Sequence, residues 1–245
     1  MAKYYDRCWN PIMGCEGNFK GCNHCFAKEL LFKRNSNCDF KKVQLNRNQY
    51  LKVFEKKSQL IAVCTQSDLF QDKVSDKIID GVLRKCNNAK QNNYLFLTKY
   101  ADRMKSYFDN QNCLINLNNN HINQFSFDNM IMGVTVCSNE DLHRIDKLKS
   151  IHYFKHKFIS FEPILERIEL TEDDLNGIDW IIIGAETGNN AVYCDIQWMI
   201  DIVHIAEKIN IPIFVNSIHL NNGKITSEFD EFPQELCKNN IPFKI

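Results

Sequence analysis

Met130-Ile131-Met132-Gly133-Val134-Thr135-Val136 is a short apolar run, and Cys137-Ser138-Asn139-Glu140 closes it with polar groups. The residues from Asn139 to Ser150 then place Leu142, Ile145 and Leu148 at helical spacing, behind a Ser or Asn suited to cap a helix. The two stretches read as one strand followed by one helix. Apolarity that is continuous rather than alternating marks a strand covered on both faces, as in parallel sheets.

Working outward, the same pattern recurs. Leu60-Ile61-Ala62-Val63-Cys64, Tyr94-Leu95-Phe96-Leu97, Phe158-Ile159-Ser160-Phe161, Trp180-Ile181-Ile182-Ile183 and Ile211-Pro212-Ile213-Phe214-Val215 are rich in β-branched and aromatic residues. Asp76 to Lys85 carries Ile78, Ile79, Val82 and Leu83 on one helical face, and Ile196 to Ile209 is a further helical stretch. The strand starts lie about 30 residues apart, the length of a βα unit. With a first strand at Tyr5 to Trp9, the expected fold is α/β: a full or partial (β/α) TIM-like barrel of six or seven parallel strands. A doubly wound open sheet is the alternative, because periodicity does not separate the two. One domain over residues 1–245 is expected, with a cysteine loop at 14–26 and a C-terminal tail from about 218 to 245.

Composition narrows the classes. The chain has 245 residues, 44% hydrophobic and 24% charged, which excludes a disordered chain and leaves enough apolar surface for a core. Thirty basic and thirty acidic residues give a formal charge of zero, which argues against a general nucleic-acid coat and leaves a local basic patch open. No run approaches the roughly 18 to 20 apolar residues of a membrane span. Met1-Ala2-Lys3-Tyr4-Tyr5-Asp6-Arg7 has no apolar signal-peptide core, so a cytoplasmic protein is expected. The 29 Asn, and 23 Lys against 7 Arg, reflect codons of an AT-rich genome, and the Asn116 to Asn120 patch carries little functional weight.

Polar groups follow each expected strand: Thr65-Gln66-Ser67-Asp68, Thr98-Lys99, Glu162-Pro163, Gly184-Ala185-Glu186-Thr187-Gly188 and Asn216-Ser217. Any one of these is an ordinary cap or turn. Several on one rim point to the working face of an α/β fold, at the carboxyl ends of the strands.

The cysteines supply the strongest local signal. Cys15, Cys22 and Cys25 are spaced C-x6-C-x2-C in a loop containing Gly14, Gly17 and Gly21. Thiolates suit zinc or iron–sulfur clusters. Three of them leave one iron of a four-iron cubane open, whereas a structural zinc site wants four closed ligands. His24 is poorly placed to join its neighbours on one metal. Cys8 is the rival fourth ligand, giving C-x6-C-x6-C-x2-C. Cys64 and Cys86 read as small hydrophobes. Cys38, Cys113, Cys194 and Cys237 show no ligand spacing, and Cys137 on the rim stays open. His143, His152 and His156 lie among lysines and read as a solvated basic surface.

Trp9-Asn10-Pro11-Ile12-Met13-Gly14-Cys15, followed by Gly21-Cys22-Asn23-His24-Cys25-Phe26-Ala27, resembles the opening of the phage Gp37/Gp68-like three-cysteine-motif family. The likeness continues in order, from about residue 7 to 217, through Ser67-Asp68-Leu69-Phe70, Leu97-Thr98-Lys99, Gly133-Val134-Thr135-Val136, Ser160-Phe161-Glu162-Pro163-Ile164-Leu165 and Asp179 to Gly188. That family is similar to radical S-adenosylmethionine enzymes. The cysteine spacing departs from the commoner C-x3-C-x2-C, and Gly184-Ala185-Glu186-Thr187 stands where relatives carry Gly-Gly or Gly-Glu-Ser.

The resemblance implies a partial TIM barrel in which Cys15, Cys22 and Cys25 hold a [4Fe–4S] cluster. S-adenosylmethionine would occupy the open iron and yield methionine and a 5′-deoxyadenosyl radical, which takes hydrogen from a substrate. Ser67, Asp68, Thr98, Lys99, Glu162 and Glu186 are then candidate cofactor contacts: Ser67 or Asp68 for the ammonium, Lys99 for the carboxylate or a substrate phosphate, Glu162 and Glu186 for ribose hydroxyls or a substrate amine. An electron donor such as flavodoxin or ferredoxin is implied. Phage origin places the protein in a host cytoplasm and makes a nucleotide or nucleic-acid base a reasonable substrate. Two other classes stay open: a metal-stabilised nucleic-acid-binding barrel without redox chemistry, and a hydrolase or nuclease using Asp68, Glu162 and Glu186 around a divalent ion.

Overall fold

Each long apolar run becomes a strand because it has two faces to bury. In chain order the computed structural model has β1 (Arg7–Trp9), β2 (Ile12–Met13), α1 (Phe26–Arg34), β3 (Gln44–Leu45), α2 (Arg47–Tyr50), β4 (Leu60–Val63), α3 (Asp76–Asn88), β5 (Asn93–Thr98) and α4 (Ala101–Asp109). Then come β6 (Met130–Thr135), α5 (His143–Lys149), β7 (His156–Phe161), α6 (Glu172–Leu175), β8 (Trp180–Gly184), α7 (Ile196–Lys208), β9 (Ile213–His219) and β10 (Ile225–Thr226). The structure describes residues 4–23, 25–34, 39–52, 54, 57–110, 125–187 and 191–243. Met1 to Lys3, His24, Cys38, Cys113, Asn116 to Asn120 and Gly188 lie outside the described residues.

The main sheet has the order β1-β4-β5-β6-β7-β8-β9-β10. Seven strands, β1 and β4 to β9, run parallel, and β10 pairs antiparallel with β9. The order never reverses, so there is no switch point of the doubly wound kind. Among the described residues β1 and β10 are the two ends of the sheet, and the barrel is partial. β2 and β3 form a separate antiparallel pair beside the cysteine loop.

Alternation along each strand separates two cores. Tyr94, Phe96, Met132, Val134, Ile159, Phe161, Ile181 and Ile183 face outward into the larger core, with Ile79 and Val82 of α3, Met104 of α4, Leu148 of α5 and Ile202 of α7. Their neighbours Leu60, Leu95, Ile131, Phe158, Trp180, Ile182 and Phe214 form a second core inside the barrel. Tyr4 packs edge-on against Trp180 and Phe214 at centroid distances of 5.7 and 5.6 Å.

The expected tail is built into the wall. Asn240 N–H donates to the Ile213 carbonyl at 3.0 Å and Val215 N–H to the Lys238 carbonyl at 2.9 Å, so this segment covers part of the β9 edge. Phe243 then enters the inner core. The helix expected from Asn139 instead begins with a 3₁₀ turn at Asn139–Asp141, and α5 proper starts at His143. Asp141 is the reason: its carboxylate turns inward to accept the Cys137 N–H at 2.9 Å and pairs with Arg144. His156 departs from the solvated surface expected of it, lying half-buried against the Phe243 ring at 5.0 Å. Among the described residues no helix is long and apolar enough to cross a membrane.

Candidate functional site

The inner face of the barrel turns polar toward the carboxyl ends of its strands. Along β5 and one residue past its end the inward positions run Leu95, Leu97, Lys99; along β7 and one residue past its end they run Phe158, Ser160, Glu162. There a cavity of about 460 Å³ opens, within the range of small-molecule sites. Cys15, Cys22, Cys25, Ser67, Asp68, Lys99, Glu162 and Glu186 all line it. Thr98 does not: it points outward from β5 and reaches the cavity only through Asp68.

The cysteine loop is bolted to the loop after β4. Ser67 Oγ donates to the Gly14 carbonyl at 2.6 Å. The fully buried Gln71 amide donates to the Gly14 carbonyl, Ser67 Oγ and the Asp68 carbonyl, and its Oε1 accepts the Glu16 N–H at 3.0 Å. On the far side Cys15 N–H donates to the Phe40 carbonyl at 2.8 Å. At Gly21 the loop meets the segment just after β6, because a Cβ there would lie 2.4 Å from Cys137 Sγ. Only glycine permits that approach.

The carboxylates differ in how far they are committed. Asp68 is buried; its Oδ1 accepts from Phe70 N–H at 2.9 Å and Thr98 Oγ1 at 2.7 Å, and its Oδ2 from Lys99 N–H at 2.9 Å. Burial raises its pKa, opposed by these bonds. Ser67 and Asp68 thus spend much of their polarity on holding the loops. Glu162 accepts from Asn216 Nδ2, and burial raises its pKa against that bond and the Lys99 charge. Gly184 makes its room, since a Cβ there would sit 2.8 Å from Glu162 Oε1. Glu186 Oε2 accepts the Val192 N–H at 2.7 Å. Ser160 Oγ and Tyr100 Oη, both on the cavity wall, are buried without a hydrogen-bond partner among the described residues. Such groups cost stability unless something else satisfies them.

Cys15 is pushed up to about 12 by burial, with Asp68, Cys22 and Cys25 adding to the shift. The three thiols are therefore electrostatic neighbours. Among the described residues, however, no three Cys, His, Asp or Glu side chains converge on the position of a single metal ion. That holds for Asp68, Glu162 and Glu186 as well. A cubane asks for less convergence, because each thiolate binds a different iron. The donor set fits such a cluster: three soft ligands on one rim of a cavity. Cys8 lies on the cavity wall as the hydrogen-bond neighbour of Tyr5 and is not among the groups acting on Cys15.

Sequence reasoning placed Asn216 on the rim without a role and missed Gln71 and Arg144. Arg144 is buried, pairs with Asp141 at 2.5 Å, donates to the Thr135 carbonyl at 2.8 Å and lies 4.6 Å from the centre of the Phe19 ring. Gln71 sits four residues after Ser67 and Arg144 three after Asp141, but nothing in those spacings separates them from surface polar residues.

A family described as a protein of unknown function (DUF5131) matches residues 1–223. No curated protein matches the chain. A solved structure of spore photoproduct lyase complexed with dinucleoside spore photoproduct superposes with a TM-score of 0.51 at 12% identity, covering 83% of this chain and 74% of that one. A tyrosine-to-phenylalanine variant of the same lyase gives 0.50 at 12% identity over 83% and 74%. A cysteine-to-serine variant gives 0.50 at 11% identity over 85% and 75%. The likeness is one of fold. The phage Gp37/Gp68 kinship stands as a resemblance of sequence segments alone.

Proposed function

The chain belongs to the DUF5131 family, and from the site just described we propose that it is an iron–sulfur enzyme of the radical S-adenosylmethionine type. The observation that carries the reading is the placement of Cys15, Cys22 and Cys25 on the polar mouth of an open parallel barrel, beside acceptors that face the same cavity. In this reading the three thiolates hold a [4Fe–4S] cluster and the cavity takes S-adenosylmethionine. When bound, the two together supply one-electron chemistry on an unactivated C–H bond.

The chain's own residues have distinct tasks. Gln71 and Ser67 fix the loop, so the ligand sulfurs are held before the cofactor arrives. Asp68, buttressed by Thr98, sets the angle between the loop after β4 and the end of β5. Glu162, Glu186 and the unpartnered Ser160 hydroxyl offer acceptors for ribose hydroxyls or an ammonium. Phe19 and Tyr100, in edge contact at 4.8 Å, shield the cysteine loop from water. Phe26 is 65% exposed, lines the cavity and follows Cys25 directly, so it offers a stacking face at the mouth. A nucleotide or nucleic-acid base suits that face, in keeping with the dinucleoside held by the structurally similar lyase. A flavodoxin- or ferredoxin-type protein would supply electrons.

Anaerobic reconstitution tests the reading. Wild-type protein should bind about four irons and about four sulfides, as a cubane requires. Cys15→Ala, Cys22→Ala and Cys25→Ala should each lose them, and Cys8→Ala should not. Reduced protein should turn S-adenosylmethionine into 5′-deoxyadenosine and methionine. Stoichiometric zinc without sulfide would refute the proposal, and loss of metal in Cys8→Ala would show a four-cysteine site.

A further inference from the structure

Two cations lie against the cysteine loop, Arg144 buried and Lys99 half-buried, and the fold treats them differently. Arg144 is spoken for by Asp141, the Thr135 carbonyl and the Phe19 ring. Lys99 follows the last residue of β5, on the same cavity wall as Cys15, Cys22 and Cys25. Its side-chain Cε lies 3.5 Å from where a Cβ on Gly21 would sit, so the stem runs directly beneath the loop. Its ammonium has no ion pair or hydrogen bond among the described residues. The Asp68 carboxylate is turned to the Lys99 backbone N–H and to Thr98 and Phe70, and Glu162 accepts from Asn216.

A half-buried cation without a paired anion loses part of its hydration uncompensated. The groups acting on its charge are the sulfurs of Cys137, Cys22 and Cys25 and two carboxylates, Asp68 and Glu162, each of which accepts hydrogen bonds from other donors. Burial acts against its charge, but Cys137, Cys22, Asp68 and Cys25, in that order, outweigh the penalty. With neutral thiols that compensation is small. With three thiolates on an iron–sulfur core the loop is net negative, and one unit more so after reduction.

We propose that Lys99 is the internal counter-cation of the cysteine loop, positioned to neutralise the thiolate-bound cluster and to raise its reduction potential. The inference rests on the iron–sulfur reading above but assigns Lys99 to the ligand sulfurs rather than to a carboxylate or phosphate of a small molecule. It is a positioning residue, acting through charge on a group held by others. The sign follows from electrostatics: a fixed positive charge favours the more negative, reduced state, so its removal lowers the potential. Cys137, beneath Gly21 and pushed up to about 11 mainly by burial, stays a neutral thiol at neutral pH and does not compete for the ammonium.

Two measurements on the full chain, both without S-adenosylmethionine, test this. The first needs no cluster: apo Lys99→Met should melt at a higher Tm than apo wild type, because the uncompensated cation is gone. The second uses anaerobically reconstituted protein. Lys99→Met should show a cluster potential shifted to more negative values in a redox titration followed by electron paramagnetic resonance. Lys99→Arg should stay close to wild type. Should Lys99→Met fold but refuse the cluster while Lys99→Arg accepts it, the counter-cation role is supported in stronger form. Equal potentials in wild type and Lys99→Met overturn the proposal, as does a shift that emerges only after S-adenosylmethionine is added, which would give the lysine to that molecule's carboxylate. Wild type that takes up no cluster overturns the iron–sulfur reading itself, and with it this role.

Discussion

Replacing Asp68 decides whether its carboxylate is a buckle of the fold or a ligand. Three donors converge on it: Phe70 N–H and Thr98 Oγ1 on one oxygen, Lys99 N–H on the other. In Asp68→Asn the amide oxygen keeps the donors of one side, and the amide nitrogen confronts the other, donor against donor. A buried N–H left without an acceptor costs about 1–3 kcal/mol, which is the loss expected for Asp68→Asn. In Asp68→Ala both backbone N–H groups are orphaned, while the Thr98 hydroxyl can rotate, so two such penalties give about 2–6 kcal/mol. Relief of the desolvation that raises the Asp68 pKa moves the alanine variant toward the lower end. Urea unfolding of the apo protein reads both values, provided the m-value is unchanged. If both variants unfold within about 0.5 kcal/mol of wild type, the range of surface substitutions, the buckle is refuted and the carboxylate is free for a ligand.

Gly184→Ala should cost about 1–3 kcal/mol by driving a methyl into Glu162; adding Glu162→Ala should remove most of that cost, and strict additivity in the cycle would show that the clash lies elsewhere. Gln71→Leu should orphan the Glu16 N–H and the Asp68 carbonyl, at about 1–3 kcal/mol each; unchanged hydrogen exchange of the loop at residues 14–17 would sink the clasp. His219 Nδ1 accepts the Cys194 N–H at 2.8 Å, and burial, opposed by Glu186, holds its pKa below the ordinary value. The unfolded state therefore takes up a proton first as pH falls, so wild type should lose stability below about pH 6.5. His219→Asn should lose less between about pH 7.5 and about pH 5.5; identical slopes would exclude His219 as the source.

The strands from β4 to β9 were legible because a strand buried on both faces has nowhere to place polar residues, and its run stays apolar. β2, β3 and β10 have two residues each, too few to show a period. Whether the barrel closes depends on what meets β1 and β9 across long sequence separations, and no local pattern encodes that. Ile241-Pro242-Phe243 is too short to signal burial in the expected C-terminal tail, although Phe243 plugs the inner core. In the site, the cysteine spacing and the rim carboxylates were visible. The division of labour among them was not: Thr98 and Asp68 both look like rim acceptors until the bond between them is seen. Arg144 was hidden because a helical arginine ordinarily faces water, and its burial is set by Asp141 turning inward.

The polar layer of the cavity is placed by strand register rather than by loop conformation. Leu97 pairs with Gly133, Gly133 with Phe158 and Phe158 with Trp180, while Thr135 pairs with Ser160 and Ser160 with Ile182. Each inward residue is bracketed in sequence by outward residues locked against helices, such as Ile159 and Phe161 around Ser160. A slip of one residue would turn Ser160 and Glu162 outward and bring Ile159 and Phe161 into the cavity, exchanging the faces of the whole strand. The packing that stabilises the helix layer therefore also fixes where Glu162 and Lys99 point, to the precision of a sheet. The cysteine loop lacks such a frame of its own. It borrows one through Ser67 and Gln71, in the segment between β4 and α3, so ligand sulfurs and strand-end acceptors share a single reference.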